Sequence, residues 1–515
     1  MGGPAMSPPV VDYSDIQGLV RFGYRKMTQA AYVLVRVKNP TSARAWLRDA
    51  PITSAVTKDP PPTTALHVAF TSAGLRALGV SERVIGGFSP EFIAGMTSDN
   101  RTRRLGDIAG NAPWRWEWGG TPHGDDLPHL AVMFFAEPQD GGVEALMGRT
   151  MGTAWVDAFT IVRRLGTENL DGVEPFGFAD GISQPEIDWS AKRDASAPVV
   201  DYGNVVALGE FLLGYKNEYE KYTDRPVLDA SPETEALLPA QDAPEKKDLG
   251  RNGTYLVMRQ LRQDVRAFWQ FVMNESGADA AAADRLAAAF VGRTRDGAPL
   301  VSTQSKPIPG IGTDADSVRL NQFTFDGDPS GASCPFGAHI RRANPRNADY
   351  PGHPTGLAKL FAAFGLGRAA FRDDLISSVR FHRILRRGRE YGPGITPEQA
   401  AMPAPPNEPE RGLHFICLNA NISRQFEFLQ NAWMANTKFS GLTGESDPLL
   451  GDRESISGCP VTNEFNLQTA GGLRRRVSGV PQFVTVRGGA YFFLPSLRAL
   501  RYFASEPGEW LAQRS

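Results

Sequence analysis

Residues 30–47 read AAYVLVRVKNPTSARAWL: an unbroken apolar run, then apolar positions at helical spacing. That change of period predicts a strand followed by a helix. Residues 253–270, GTYLVMRQLRQDVRAFWQ, repeat the plan, and Tyr32, Arg36 and Trp46 fall at one constant offset from Tyr255, Arg259 and Trp269. A second strand-then-helix pair matches ALHVAFTSAGLRALG from Ala65 with GLHFICLNANISRQF from Gly412. A third matches LAVMFFAEP around Phe134 and Phe135 with GAYFFLPS around Phe492 and Phe493. Each half thus offers strand–helix–strand–helix–strand in the same order. The pattern predicts an α+β chain of duplicated ferredoxin-like domains, antiparallel sheets with peripheral helices on one face.

The polar stretch from Asn217 to Asp248, rich in Pro, Glu, Asp and Lys, separates the repeats. It predicts an N-terminal domain over 1–216, a connecting segment over 217–250 and a C-terminal domain over 251–515. The second half is longer than the first between its matched elements, which places an insertion at about 275–411. Insertions on a scaffold commonly carry function.

Composition narrows the partners. With 41% hydrophobic and 22% charged residues over 515 positions, the chain reads as an ordinary globular protein able to bury a large core without staples. Its 55 basic residues stand against 57 acidic ones, so no bulk electrostatic case exists for nucleic acid or an anionic membrane. The densest basic run, Arg474–Arg476, reads as a solvated turn. Cys334, Cys417 and Cys459 are too few and scattered for a disulfide framework or a tetrahedral zinc site. The opening MGGPAMSPPVVDYSD lacks the basic and apolar regions of a secretory signal, and no apolar run is long enough for a membrane helix. A cytoplasmic location is the expectation, with no nucleic-acid or membrane partner; a homo-oligomer is compatible with the sequence.

The seven histidines include no HExxH, and there is no Cys-x-x-Cys, no GxSxG elbow and no GxxxxGK[ST] phosphate loop. Three local sequences carry chemistry instead. EPFGFADGISQPEI (174–187) sets Asp180 in a Gly-rich turn, SCPFGAHIRRANPR (333–346) sets His339 beside Arg341 and Arg342, and RFHRILRRGREYGP (380–393) sets Arg386 before Gly388. Taken singly, each has an ordinary structural reading: a turn aspartate, a satisfied histidine, a charged strand end.

Taken in order, FGFADGISQP, HIRRANPR and ILRRGxxYG resemble the dye-decolorizing peroxidase family. The flanking DIQGLVRFGY, EFLLGYKNEY, GTYLVMRQL, GLHFICLNANISRQFEFLQNAW and QFVTVRGGAYFFLPSL extend the resemblance over nearly the whole chain. The resemblance implies the duplicated ferredoxin-like fold and one haem b per chain. It implies His339 as the axial ligand of the haem iron, Arg341 as the partner of a haem propionate, Asp180 as the distal acid–base residue and Arg386 as the distal arginine. Hydrogen peroxide would be reduced, and dyes, phenolics or other small aromatic one-electron donors oxidised through a ferryl intermediate. A single imidazole ligand leaves one iron face open, and a base and a cation above that face suit heterolytic O–O cleavage.

Two positions depart from the pattern. Asn347 stands where relatives often carry Asp, and Gly388 where one branch has a distal Asn. Three rivals stay open. A haem-binding protein for storage, transport or iron release would use His339 and Arg341, with Asp180 and Arg386 mattering much less. A chlorite-dismutase-type enzyme would not call for the GFADG aspartate, and a haem-free relative would be colourless.

Overall fold

The computed structural model describes residues 11–121, 124–191, 204–301, 320–346, 379–453, 462–468 and 474–505. His123, His353, Asn347 and Cys459 lie outside the described residues. The first half supplies strands β1 (Gln29–Val37), β2 (Thr64–Phe70), β3 (Leu130–Ala136) and β4 (Phe159–Gly166). The second supplies β5 (Thr254–Gln263), β6 (Leu385–Arg386), β7 (Arg389–Tyr391), β8 (Gly412–Asn419) and β9 (Val484–Leu494). All nine belong to one sheet, in the order β6-β8-β5-β9-β2-β3-β1-β4, with β7 also pairing with β8. Each half is antiparallel and carries the ferredoxin-like order, and the halves meet where Phe493 of β9 pairs with Phe70 of β2.

Sheet position sets β8 against β3 and β9 against β4. The sequence match had paired β8 with β2 and β9 with β3, one strand out of step. The cause is local. The counterpart of β2 is split into the short β6 and β7, too brief to show a period. The fourth strand of the first half, FTIVRRLG, is an edge strand with Thr160, Ile161, Arg163 and Arg164 exposed, so it lacks an apolar run.

Both faces of the sheet are buried. On β3, Leu130, Val132, Phe134 and Ala136 face the helices, while Ala131, Met133 and Phe135 face the other side. Irregular chain covers that second side, with Ile16, Leu19, Phe211, Leu212 and Tyr215 packed onto it. Helices α1 (Pro40–Asp49) and α2 (Val265–Glu275) follow the first strand of each half. Asn39 and Asp264 cap them by accepting from the N–H groups of Ser42 and Ala267. In α2 the buried Val265, Phe268, Trp269 and Val272 stand at i, i+3, i+4 and i+7, one face of a helix. Burial of side chains this large stabilises the fold by about 1.5–3 kcal/mol each. The indole N–H of Trp269 donates to the Phe176 carbonyl at 3.0 Å, which ties α2 to the segment leading to Asp180.

The basic run forms a strand, Arg474–Ser478, rather than a turn. It pairs with Glu464–Gln468 and keeps its three arginines exposed. Among the described residues no helix is long and apolar enough to cross a membrane.

Candidate active site

A cavity of about 270 Å³ is lined by Asp180, His339 and Arg386, so three of the four residues singled out in the sequence meet in one place. The motif EPFGFADG forms a loop closed on itself. The Asp180 N–H donates to the Gly172 carbonyl at 2.9 Å, and the Glu174 N–H to the Phe178 carbonyl at 2.8 Å. Gly177 (φ +95°) supplies a left-handed turn that a side chain would strain. Phe176 and Phe178 anchor the loop against Phe268 and Trp269, with ring centroids 4.7 and 6.4 Å apart.

From this loop Asp180 Oδ1 accepts from Arg386 Nη1 at 2.9 Å. Gln184 fixes the opposite strand: its amide donates to the Arg386 carbonyl and accepts from the Arg386 N–H, both at 3.1 Å. Burial alone pushes the Asp180 carboxyl up, but the Arg386 guanidinium and the Gly181 N–H outweigh it and hold the group below the ordinary carboxylate value. Glu174, six residues earlier, also lines the cavity, and burial pushes its carboxyl up to about 7. Two carboxylates in one cavity are thus driven apart, which separates a permanent base from a group that holds a proton near neutrality.

His339 opens the short helix α3 (His339–Ala343). Its Nδ1 lies 2.9 Å from Asp447 Oδ2, and Asp447 Oδ1 accepts from the N–H groups of Leu449 and Leu450 at 2.9 and 2.8 Å. A carboxylate that accepts on both oxygens takes the proton on Nδ1 and leaves the Nε2 lone pair free for a ligand. Among the described residues nothing bonds Nε2, and 27% of the side-chain surface remains accessible. His382 also lines the cavity, but its Nδ1 meets the Arg424 carbonyl and its ring stacks on Phe428 at 3.6 Å.

Arg341, which the resemblance implies as the partner of a haem propionate, does not line this cavity. Residues two apart on a helix do not share a face, and Arg341 points away from the cavity that His339 lines. Its guanidinium donates to Asp328 Oδ2 at 2.9 Å, to the Asp328 carbonyl at 3.0 Å and to the Cys334 carbonyl at 2.6 Å. The rings of Phe325 and Phe336 enclose it, each 4.4 Å away. The cavity has other cations. Arg293, Arg346 and Arg383 line it beside Arg386. Burial and the neighbouring Arg386 lower Arg293 and Arg383 to about 10, and burial with Arg383 and Arg293 nearby holds Arg346 well below the ordinary guanidinium value. Cations crowded in this way call for an anion. Asn344 adds an amide to the same wall, with both polar atoms buried and without a partner among the described residues.

A free imidazole nitrogen, clustered arginines, an orphaned amide and apolar walls that include Ile182, Leu413, Phe415 and Leu429 fit haem, an apolar macrocycle with two carboxylates and an iron. Sequence reading missed Glu174, Arg346 and Asn344 although they lie within the quoted motifs. It missed Arg383 as well, inside the 380–393 motif, and it missed Asp447 and Arg293, which no motif marks. Gly388 has a steric reason: a Cβ there would stand 2.5 Å from the His414 carbonyl, so β8 excludes a side chain at that point.

No protein-family model matches the chain. It is 30% identical over 455 residues to a dye-decolorizing peroxidase of Mycetinis scorodonius, covering 85% of this chain and 76% of that protein. It is 30% identical over 458 residues to a multifunctional dye peroxidase of Amycolatopsis sp., covering 85% and 82%. Among solved structures it resembles a fungal DyP-type peroxidase from Auricularia auricula-judae, with a TM-score of 0.70 and 26% identity over 96% of this chain and all of that one.

Proposed function

The chain belongs to the dye-decolorizing peroxidase family, and from that premise we propose that it reduces hydrogen peroxide with one haem b held by His339, oxidising dyes, phenolics or other aromatic one-electron donors. The observation that carries this reading is the Asp180–Arg386 pair lining the same cavity as a carboxylate-bound imidazole. His339 would hold the iron through Nε2, and Arg293, Arg346 and Arg383 would take the haem carboxylates. When bound, haem supplies the two-electron reduction of peroxide and the successive one-electron oxidations of donors.

The chain's own residues handle protons and charge. Ionised Asp180 accepts the proton of the peroxide and returns it to the oxygen that leaves as water. Arg386, fixed by Asp180 and by the Ser183 carbonyl, stabilises the charge that builds on the departing oxygen. Arg386→Leu is expected to slow the peroxide reaction on the order of 10²–10³-fold, read as the second-order rate constant in stopped flow.

The pH dependence follows from the two carboxyls. As pH falls from neutrality, Glu174 takes a proton first, which removes a negative neighbour of Asp180 and makes Asp180 harder to protonate. Asp180 itself titrates below the ordinary carboxylate value, so its base form survives. The peroxide rate constant is expected to hold down to about pH 5. A collapse below about pH 6 with the haem band intact would contradict this assignment.

A storage or transport protein would use His339 and the arginines but would give the Asp180–Arg386 pair no task. The direct test is to reconstitute the chain with haem and mix it with one equivalent of peroxide. A Soret band that changes rapidly and returns on adding a phenol supports the peroxidase. A band that ignores peroxide favours storage, and no band at all overturns the haem reading.

A further inference from the structure

The loop that presents Asp180 is wrapped around a carboxylate to which the peroxidase reading gives no task. Glu174 Oε2 accepts from the Phe176 N–H at 3.0 Å and from Gln263 Nε2 at 2.7 Å, while Oε1 accepts from the Phe178 N–H at 3.0 Å. The Gly177 N–H returns to the Glu174 carbonyl at 2.8 Å, and Glu174 and Phe178 close the loop backbone to backbone. Phe176 and Phe178 are buried, so without the carboxylate their N–H groups would sit in an apolar wall with no acceptor. Asp180 follows Phe178 by two residues, and Gln263 stands at the end of β5, in the rigid sheet.

We propose that Glu174 is a positioning residue for the peroxide reaction: by gathering the N–H groups of Phe176 and Phe178 and the Gln263 amide, it fixes the backbone from which Asp180 meets Arg386. The inference rests on the reading of Asp180 as the proton acceptor. The residue type fits the task, because two separate backbone donors need two acceptor oxygens on one side chain. Glutamine offers a single acceptor and would set its NH₂ against one of the donors. Aspartate is shorter by a methylene. Gln263 completes the device. Its Oε1 is buried without a partner among the described residues, so a turn of the amide would accept from a protonated Glu174 as readily as Nε2 now donates to the ionised one. The loop is satisfied in either charge state, which suits a carboxyl that titrates near neutrality.

The test is a double-mutant cycle on the haem-loaded enzyme, reading the stopped-flow rate constant with peroxide. Glu174→Gln is expected to lower it by about 10–10²-fold, the scale on which a small misplacement of a reacting group acts. In the Asp180→Asn background the same substitution is expected to cost less than about 3-fold, because its effect passes through Asp180. The rate of phenol oxidation after the peroxide step should stay at the wild-type value. Gln263→Leu should repeat the pattern more weakly, and it serves as the test if Glu174→Gln fails to retain haem. Equal losses in both backgrounds, or a wild-type rate in Glu174→Gln with an unchanged Soret band, overturn the inference while leaving the peroxidase reading intact. A wild-type rate in Asp180→Asn overturns the proton-acceptor reading and this inference with it.

Discussion

Asp180→Asn is expected to retain haem with an unshifted Soret band and to react with peroxide roughly 10²–10⁴-fold more slowly than the wild type. The substitution is close to isosteric, and the bonds that hold the residue survive it. The backbone N–H still reaches the Gly172 carbonyl, and an amide oxygen can still accept from Arg386 Nη1. What is lost is the ability to take a proton, so the measured deficit reports chemistry rather than collapse of the loop. The deficit should be close to constant between about pH 5 and 7, because the wild-type base is ionised across that range. The check is the second-order rate constant under excess peroxide. A loss smaller than about 10-fold would mean that another group moves the proton, and Glu174, which lines the same cavity, would be examined next. Combining Asp180→Asn with Arg386→Leu should cost less than the product of the single effects, since the two side chains touch and share one task.

How much of this was legible in the sequence differs from element to element. The first strand and helix of each half were legible because an apolar run followed by helical spacing is a local signal: Tyr32 and Tyr255 are fully buried, and Trp46 and Trp269 each turn an indole N–H to a backbone carbonyl. The matching then slipped by one strand because the split β6 and β7 and the exposed edge strand β4 carry no such run. The site divides in the same way. Asp180, His339 and Arg386 sit in compact motifs, and the fold brings all three to one cavity. Arg341 and Arg346 lie in the same motif as His339, and composition cannot tell which faces the cavity. Helical periodicity turns Arg341 away, whereas α3 ends at Ala343 and Arg346 takes a left-handed φ of +58° that returns the chain to the wall. Asp447 stands more than a hundred residues beyond His339, and only the tertiary fold joins them.

His339→Ala is expected to abolish the native haem spectrum, the second large effect. Its Nε2 is an imidazole nitrogen in the cavity with no bond among the described residues, whereas the His382 ring lies stacked on Phe428 with Trp433 against its edge. Loss of the ring also leaves Asp447 Oδ2 buried without its donor, and stranding a buried acceptor typically costs about 1–3 kcal/mol, more when it is charged. The variant should therefore show a lower thermal midpoint even before haem is added, and weak, spectrally altered haem uptake afterwards. Added imidazole separates the two losses. A free imidazole can enter the space the side chain vacated, donate to Asp447 and offer its second nitrogen to the iron, so a native-like Soret band should return in its presence. Spectral titration with haem, with and without imidazole, makes the check. A native band in His339→Ala without imidazole would place the ligand elsewhere. A lowered midpoint with no rescue would mean that the ring serves Asp447 and the fold rather than the haem, and that the cavity's arginines bind a different anion.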